Sequence, residues 1–274
     1  MRDANLVCPL CKRVGGILLN PAVDHVRQVV CSICSRELPV VDGIPDFAPH
    51  VPMEDPKART VQKLNCSPTF ARLYESLVWR KVLTRLGAGL SMGQEVREVL
   101  EAGRLQSLAT IVDLACGTGH YARAYRTAYP DARVYGLDVS MPMLVKAGIK
   151  ARQCGCGGIS FLRGDLYEIP FGDGTMDLVN CCGVLHLFSD LEPVWREVAR
   201  VLRPGGVFTG WVLIALPRWG ERKFQERLMK RGEATFFQPS RMKSDFERAG
   251  LSGFRWAKRR AWLIFRVQKP GRGG

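Results

Sequence analysis

The stretch that decides the fold of this chain is TIVDLACGTG, residues 110–119. Its first half is apolar and rich in β-branched residues, which predicts a buried strand. The turn Gly117-Thr118-Gly119 follows at once, and residues 120–128 have the pattern of a helix. Glycines let a backbone approach a ligand, and the unpaired N–H groups at a helix start face that ligand. The stretch therefore predicts a site for a nucleotide-like cofactor, although Gly117-x-Gly119-x-x-Ala122 also fits a dinucleotide site.

Four more strands are predicted downstream, and informative residues stand at their ends. Asp138 closes the second strand, where an acid is placed to bind two ribose hydroxyls. Asp165 closes the third strand, and His186 follows the fourth. A Leu-Arg-Pro-Gly-Gly turn, residues 202–206, precedes the fifth. The four strands are expected at residues 133–139, 159–165, 176–183 and 207–214.

This ordered set of motifs resembles the class I S-adenosylmethionine-dependent methyltransferases over about residues 65–270. The resemblance rests on Asp113, which stands four residues before the first glycine, on the acids that close the second and third strands, and on the Leu-Arg-Pro-Gly-Gly turn. It implies an α/β fold with a Rossmann-like, seven-stranded, mostly parallel sheet. A dehydrogenase is disfavoured, because its chain would normally start with the glycine motif and would not need Asp113.

The resemblance also implies which residues hold S-adenosylmethionine. Asp113 would orient the glycine loop or the amino group of the cofactor, and Asp138 would bind the ribose hydroxyls. Asp165 would accept from the adenine amine, with the next residue supplying its backbone N–H. Cys181 and Cys182 would lie beside the sulfonium, at the end of the fourth strand. The full expected set is Asp113, Ala115, Cys116, Gly117, Thr118, Gly119, Asp138, Val139, Met143, Gly164, Asp165, Leu166, Cys181, Cys182 and Tyr74.

Two segments outside the motifs are expected to cover the site. Residues 68–87 predict an amphipathic helix, because apolar side chains recur there at helical spacing. In class I methyltransferases a helix before the first strand often covers the cofactor pocket, so Tyr74 either touches the methionyl end or packs in the core. Residues 216–237 hold a basic segment that is expected to form a lid over the substrate cleft.

The resemblance leaves two kinds of methyl acceptor open. The segment Val184-Leu185-His186 with Asp190 resembles methyltransferases of quinones, sterols and polyketides, which implies a natural-product-like acceptor methylated mainly on oxygen. His186 is then the candidate catalytic base, because an imidazole accepts protons near neutral pH; a structural role is the alternative. Guanine-N1 ribosomal RNA methyltransferases also join a zinc ribbon to this core, so RNA is the second kind of acceptor. A non-catalytic binding protein is disfavoured, because every cofactor position is filled.

Two Cys-x-x-Cys pairs near the N-terminus predict a zinc ribbon, because each tight turn directs two thiolates at one ion. Four sulfur ligands would complete the tetrahedron, which makes the zinc structural. The ligands are Cys8, Cys11, Cys31 and Cys34. The second pair and residues 39–47, PVVDGIPDF, resemble the Trm112-like zinc modules found before some methyltransferase domains. We expect a zinc-ribbon module at residues 1–47, a linker at 48–67 and a methyltransferase domain at 68–274.

The net charge of +14 is unevenly distributed. Residues 1–60 hold 7 basic and 7 acidic residues, whereas residues 216–274 hold 16 and 5, which leaves +11 there. This excess is either a solvated basic surface or a surface for an acidic partner: RNA, an anionic substrate or an acidic carrier protein. No apolar run reaches the roughly 18 residues of a membrane span, and the first residues lack an apolar signal. A cytoplasmic protein is therefore expected.

Overall fold

A computed structural model describes residues 2–21, 26–48, 84–105, 109–188, 190–214, 226 and 235–271. Six short strands come first: β1 (Arg2–Asp3), β2 (Ile17–Pro21), β3 (Val26–Cys31), β4 (Glu37–Leu38), β5 (Val40–Val41) and β6 (Ile44–Pro45). The strands β1 to β4 form an antiparallel sheet, and β5 and β6 form a hairpin. The hairpin turns at Asp42 and Gly43, which both have positive φ, as an Asp-Gly pair favours.

A seven-stranded sheet forms the larger part and confirms the predicted α/β class. Its strands are β7 (Thr110–Leu114), β8 (Arg133–Asp138), β9 (Ile159–Arg163), β10 (Met176–Cys182), β11 (Leu202–Leu213), β12 (Ser252–Arg259) and β13 (Trp262–Gln268). The helices are α1 (Met92–Ala102), α2 (His120–Ala128), α3 (Met141–Gln153), α4 (Glu192–Val201) and α5 (Pro239–Arg248). The order across the sheet is β12-β13-β11-β10-β7-β8-β9. Among the described strands of this sheet, β13 runs opposite to the other six, which are parallel to one another.

The strand order places the site at one edge of this sheet. β7 pairs with β8 on one side and with β10 on the other, so the order along the chain reverses beside β7. Because these strands are parallel, their carboxyl ends meet at the same edge, and a crevice opens where the order reverses. The strands are buried on both faces, as helix-covered parallel strands are; Ile111, Val112, Leu178 and Val179 have no exposed surface.

Some element boundaries differ from those that the sequence predicts. The sequence pattern predicts a helix at residues 94–102, but α1 begins two residues earlier, because Ser91 and Gln94 form a capping box, which fixes the helix start at Ser91. The pattern also predicts a helix at residues 240–249 capped by Ser240, which lies inside α5 instead. That helix starts at Pro239, whose missing N–H suits a first turn. β11 begins at Leu202, since the Pro-Gly-Gly turn is an irregularity within its pairing with β10.

Several predictions fall on residues outside the described ranges. They are the linker beyond residue 48, the helix up to residue 83 with Tyr74, and most of the lid segment. Residues 84–87 are helical. At the end of the lid segment, Thr235 N donates to the carbonyl oxygen of His186 at 2.7 Å. The domain boundaries stay predictions. Within the described ranges, no helix combines the length and the apolar character that a bilayer crossing needs.

The N-terminal module packs directly on the large sheet. The hydroxyl of Tyr135 in β8 donates to Asp3 at 2.7 Å, and Val7 N donates to the carbonyl oxygen of Pro170 at 3.1 Å. Apolar side chains of the two parts share one core. This core includes Leu6, Ile17, Val29, Leu38, Leu137, Leu162 and Phe171. The module is therefore held by burial as well as by hydrogen bonds.

An ion pair joins the end of this module to β9, the strand that leads to Asp165. Arg163 Nη1 donates to the two carboxylate oxygens of Asp46 at 3.0 and 2.8 Å. Its Nε donates to the carbonyl oxygen of Val139 at 2.9 Å. Val139 directly follows Asp138, so one arginine connects the module to the ends of β8 and β9. The side chains of Arg163 and Asp46 are only 20% and 11% exposed, so loss of one leaves the other charge poorly compensated.

We predict that Asp46→Asn lowers the melting temperature by several degrees. The reason is the loss of a charged, mostly buried hydrogen-bond acceptor, a change of about 1–3 kcal/mol. Asp42→Asn is the matched control, because Asp42 is exposed and asparagine tolerates its positive φ. Differential scanning calorimetry measures both variants. Equal melting temperatures for the two would show that the Asp46–Arg163 pair does not hold the module.

Candidate functional site

The glycine turn after β7 has a backbone that few residues other than glycine adopt. Ala115, Gly117 and Gly119 have φ values of 51, 52 and 72°. A Cβ atom at Gly119 would also lie 3.0 Å from the ring of Phe161. Both conditions favour glycine, and the left-handed Ala115 is a strained position of the kind that collects at functional sites. The turn leads into α2, whose first N–H groups point toward this edge of the sheet.

Asp113 holds the turn from below. Its side chain is buried, 1% exposed, and its two oxygens accept from Ala122 N at 3.0 Å and from Asn180 Nδ2 at 2.6 Å. The carboxylate therefore ties β7 to the first turn of α2 and to β10. Of the two roles expected for Asp113, this geometry fits the orientation of the loop.

Two acids stand at the ends of β8 and β9, as expected. Asp138 accepts from Gly117 N at 2.7 Å and from Ser140 N at 2.8 Å. Asp165 accepts from Tyr167 N at 3.2 Å. Burial raises the pKa of each carboxyl group, and the N–H groups that donate to it oppose that shift. Each carboxylate oxygen can accept more than one hydrogen bond, so both acids can still bind a ligand.

A cavity of about 660 Å³ opens at this edge. Most of the expected cofactor residues line it: Ala115, Cys116, Gly117, Thr118, Asp138, Val139, Met143, Gly164, Asp165, Leu166 and Cys182. Asp113, Gly119 and Cys181 are not among the lining residues: Asp113 is buried beneath the turn, and Gly119 packs against Phe161. Tyr74 is outside the described residues.

The two neighbouring cysteines of β10 point to opposite faces of the sheet, as successive strand residues do. Cys182 lines the cavity. Cys181, only 1% exposed, lies in the apolar core, which corrects the expectation that both lie beside the cofactor. Burial raises the pKa of both thiols well above its ordinary value, and the charge of Asp113 adds to the effect. Both side chains are therefore thiols at neutral pH, which makes them poor nucleophiles.

His186 lies in a short 3₁₀ turn after β10 and lines the cavity. Its ring stacks on Trp211, with centroids 6.4 Å apart. Nδ1 is buried and has no hydrogen-bond partner among the residues that the structure describes. Burial lowers the pKa of His186 to about 4, because the charged form loses its hydration. The imidazole is therefore neutral at physiological pH.

The sequence interpretation missed five further residues that line the cavity. They are Thr84, Glu95, Tyr121, Trp211 and Trp262. The two indoles are parallel, with ring centroids 3.7 Å apart. One signal was readable for Glu95: it stands four residues before Val99, and both lie on the buried face of α1. An acidic residue is rarely fully buried unless it has a polar partner or a function.

The four cysteines of the N-terminal module converge as predicted. Their Sγ atoms lie within 4.8 Å of one another. Cys8 Sγ is 3.9 Å from Cys34 Sγ, and Cys11 Sγ is 3.7 Å from Cys31 Sγ. Tetrahedral zinc with bonds of about 2.3 Å separates its sulfur ligands by roughly 3.8 Å. The cluster therefore fits a four-coordinate zinc ion.

Comparison with known proteins identifies the central part of the chain. Residues 112–209 match the family described as a methyltransferase domain. An uncharacterized chloroplastic methyltransferase of Arabidopsis thaliana is 25% identical over 96% of this chain and 77% of its own length. The demethylmenaquinone methyltransferase of Thermus thermophilus is 36% identical over 43% of this chain. This chain spans about half of that relative, 54% of its length.

A solved structure of a two-protein complex contains a chain of similar fold. It contains the Trm112 methyltransferase activator of Haloferax volcanii and a methyltransferase. The matched chain is 21% identical, with a TM-score of 0.58 over 74% of this chain and 97% of its own length; at this identity the likeness concerns the fold. The glycine turn, the strand order and the matched family agree. The chain therefore contains a class I S-adenosylmethionine-dependent methyltransferase domain, which follows a module that carries a cluster of four cysteines.

Proposed function

We propose that this enzyme methylates an oxygen atom of a small, mainly apolar acceptor. One observation carries the proposal: a single cavity joins a cofactor-type edge, with Asp138 and Asp165, to a wall of aromatic side chains, with His186, Trp211 and Trp262. The first part suits a nucleoside, and the second suits an apolar molecule.

The cofactor edge is the part that the family motifs explain. S-Adenosylmethionine, when bound, supplies the methyl group from its sulfonium. Asp138 would accept from the ribose hydroxyls, and Asp165 from the adenine amine. The glycine turn would admit the methionyl part close to the backbone. The side chains thus bind and align, which is the main contribution that a protein makes to a displacement of this kind.

A small acceptor fits the cavity in size and lining. Its volume of about 660 Å³ lies within the roughly 300–1,000 Å³ typical of small-molecule sites. Apolar side chains, among them Val184, Leu187 and Leu213, line it beside the indoles. The relative from Thermus thermophilus is named for a quinone precursor, demethylmenaquinone, which is a molecule of this apolar kind.

His186 is our candidate for the general base. Its imidazole is neutral above a pKa of about 4, so at physiological pH it has a nitrogen free of a proton, although burial makes it a weaker base than an exposed histidine. Its Nδ1, which has no partner within the described ranges, is a buried polar atom of the kind that native proteins seldom leave unsatisfied without a function.

Ribosomal RNA is the second candidate acceptor. Basic side chains of β12, among them Arg255, Lys258 and Arg259, favour it. However, β12 is an edge strand, where basic side chains also prevent pairing with other chains. Arg259 is moreover bound to Glu98, with Nε 2.8 Å from its oxygens. These contacts leave the small molecule as the better-supported acceptor.

We also propose that the cysteine cluster holds a structural zinc ion. All four ligand positions are taken by sulfur, so no position is open for a substrate. The ion would hold the short strands together and thereby support the Asp46–Arg163 contact. A reducing compartment such as the cytoplasm keeps such thiols available to metal.

Methyl transfer to a small molecule is tested with labelled S-adenosylmethionine, incubated with either a small-molecule extract or total RNA. We expect label in the extract. Asp138→Ala should weaken cofactor binding by about 1–3 kcal/mol, since an acceptor for two hydroxyls is lost. Asp131→Ala, at an exposed position, is the control. If only the RNA becomes labelled, RNA is the methyl acceptor. If calorimetry detects no binding of S-adenosylmethionine to the wild-type protein, methyl transfer is refuted altogether.

The base is tested with His186→Gln on the acceptor so identified. Turnover should fall by about 10²–10⁴, with cofactor affinity kept. Because the pKa of His186 is lowered to about 4, the wild-type rate should not fall as pH decreases through 6.5. It should fall only as pH approaches 4, where the imidazole gains a proton. Near-normal turnover of the variant would leave His186 with a structural role.

Metal removal tests the zinc site. Elemental analysis should find one zinc ion per chain, and Cys31→Ser should lose it. The melting temperature should then fall strongly, because zinc contributes on the order of 10–16 kcal/mol to the folding of such units. Cys154→Ser, at an exposed cysteine, should keep both the metal and the stability. A metal-free wild-type protein of unchanged stability would refute the proposal.

A further inference from the structure

Two cysteines outside both the cavity and the four-cysteine cluster lie side by side in the loop between α3 and β9. Cys154 is exposed and Cys156 is half-buried, and their Sγ atoms are 3.2 Å apart. At this separation a small rotation of either side chain brings the two sulfur atoms to bonding distance. The pair is therefore a candidate site of thiol chemistry that the cofactor edge does not use.

The end of α3 brings the two cysteines together. Cys156 N donates to the carbonyl oxygen of Ala151 at 2.9 Å, and Gly155 N donates to that of Arg152 at 3.1 Å. These two hydrogen bonds define a Schellman motif, which ends a helix with a left-handed residue. That residue is Gly155, with a φ of 67°. The chain reverses there, so Cys154 and Cys156 meet through local geometry that the sequence Cys-Gly-Cys itself favours.

The neighbouring helix α2 supplies positive charge and a hydrogen bond to this loop. Thr127 Oγ1 lies 3.7 Å from Cys156 Sγ, and Arg126 Nε donates to a backbone carbonyl oxygen of the loop at 2.8 Å. Burial raises the pKa of the Cys156 thiol and the hydrogen bond with Cys154 adds to this shift, whereas Thr127 and the charge of Arg123 oppose it. Positive groups beside a thiol stabilise the thiolate, which is the form that exchanges with disulfides.

We propose that Cys154 and Cys156 form a reversible disulfide by exchange with a low-molecular-weight disulfide such as oxidised glutathione. The thiolate of the more exposed Cys154 attacks one sulfur of that disulfide, forms a mixed disulfide and releases one small thiolate. The thiolate of Cys156 then attacks the Cys154 sulfur and releases the second small thiolate. The pair thereby loses two electrons and two protons, and the small disulfide gains them as two thiols.

The size of the ring makes this disulfide easy to reduce. Only Gly155 separates the two cysteines, so the ring is small and strained, and strain favours reduction. Strained or exposed disulfides are the labile and regulatory ones, and disulfides in reducing compartments are usually transient. The pair thus responds to the thiol–disulfide balance around the protein. Neither cysteine lines the cavity, so the inference does not depend on the proposed methyl transfer.

Mass spectrometry tests the pair directly, because trypsin isolates it. Cleavage after Arg152 and Arg163 yields the peptide 153–163, whose only cysteines are Cys154 and Cys156. The folded, reduced, full-length protein is incubated with oxidised glutathione, its free thiols are blocked with N-ethylmaleimide, and it is then digested. We expect peptide 153–163 to carry no maleimide and to be lighter by two hydrogen atoms than the reduced peptide. Excess reduced glutathione, added before blocking, should restore the reduced form.

The peptide 164–196 is an internal control, because it carries Cys181 and Cys182. These neighbours point to opposite faces of a strand, so they should stay reduced. The disulfide fraction of peptide 153–163 should exceed theirs at least about tenfold, since exchange needs an accessible thiolate.

Single variants test the order of attack. Cys156→Ser leaves Cys154 without a second thiol, so its mixed disulfide with glutathione should accumulate. Cys154→Ser leaves the half-buried Cys156, on which the glutathione adduct should form at least about tenfold more slowly. The melting temperature of each variant under reducing conditions should equal that of the wild type, so that unfolding does not account for the difference.

Two results would overturn the inference. One is a peptide 153–163 that stays reduced in oxidised glutathione. The other is a wild-type protein that accumulates a glutathione adduct on Cys154 in place of the internal disulfide. Faster adduct formation in Cys154→Ser than in Cys156→Ser would overturn the assignment of Cys154 as the attacking thiol. Cofactor binding is measured separately by calorimetry, so failure here leaves the proposed methyl transfer intact.

Discussion

The buried carboxylate of Asp113 is the contact on which the cofactor edge depends. A charge without solvent needs hydrogen-bond donors, and Asp113 takes them from the start of α2 and from Asn180 in β10. Three elements that are distant in sequence are thereby fixed relative to one another. The glycine turn lies between the points that Asp113 connects, so its left-handed residues are held in place. Asp138 adds a second support by accepting from the backbone of Gly117.

The cavity residues around the glycine turn could be predicted because their signals are local. An apolar run, a glycine turn and an acid at a strand end are each visible within about ten residues, and parallel strands bring such ends together. Cys181 shows where this reasoning stopped. A strand alternates between two faces, so of two adjacent cysteines only one can reach the cavity. The alternation of faces along β10 could have shown that the two cysteines lie on opposite faces of the sheet. The residues that contact Cys182 could not have been predicted from the sequence.

The cavity residues from α1, α2 and β11 could not be predicted in the same way. Glu95, Tyr121 and Trp211 come from α1, α2 and β11, and no motif connects them. Their meeting is a product of tertiary packing. The lowered pKa of His186 has the same origin, because burial depends on what the rest of the chain places around a ring. A chemically reasonable base was visible in the sequence, but its protonation state at neutral pH was not.

The two outer strands of the large sheet, β9 and β12, deal with their open edges differently. β12 carries basic side chains along its length. β9 is covered by the N-terminal module: Asp46 bridges to Arg163, and Phe47 N donates to the carbonyl oxygen of Arg163 at 2.9 Å. An uncovered strand edge is a template for other chains. A shortened protein that began at the methyltransferase domain would therefore expose the edge of β9 and tend to self-associate. By covering this edge, the cysteine-bearing module also protects the protein from aggregation.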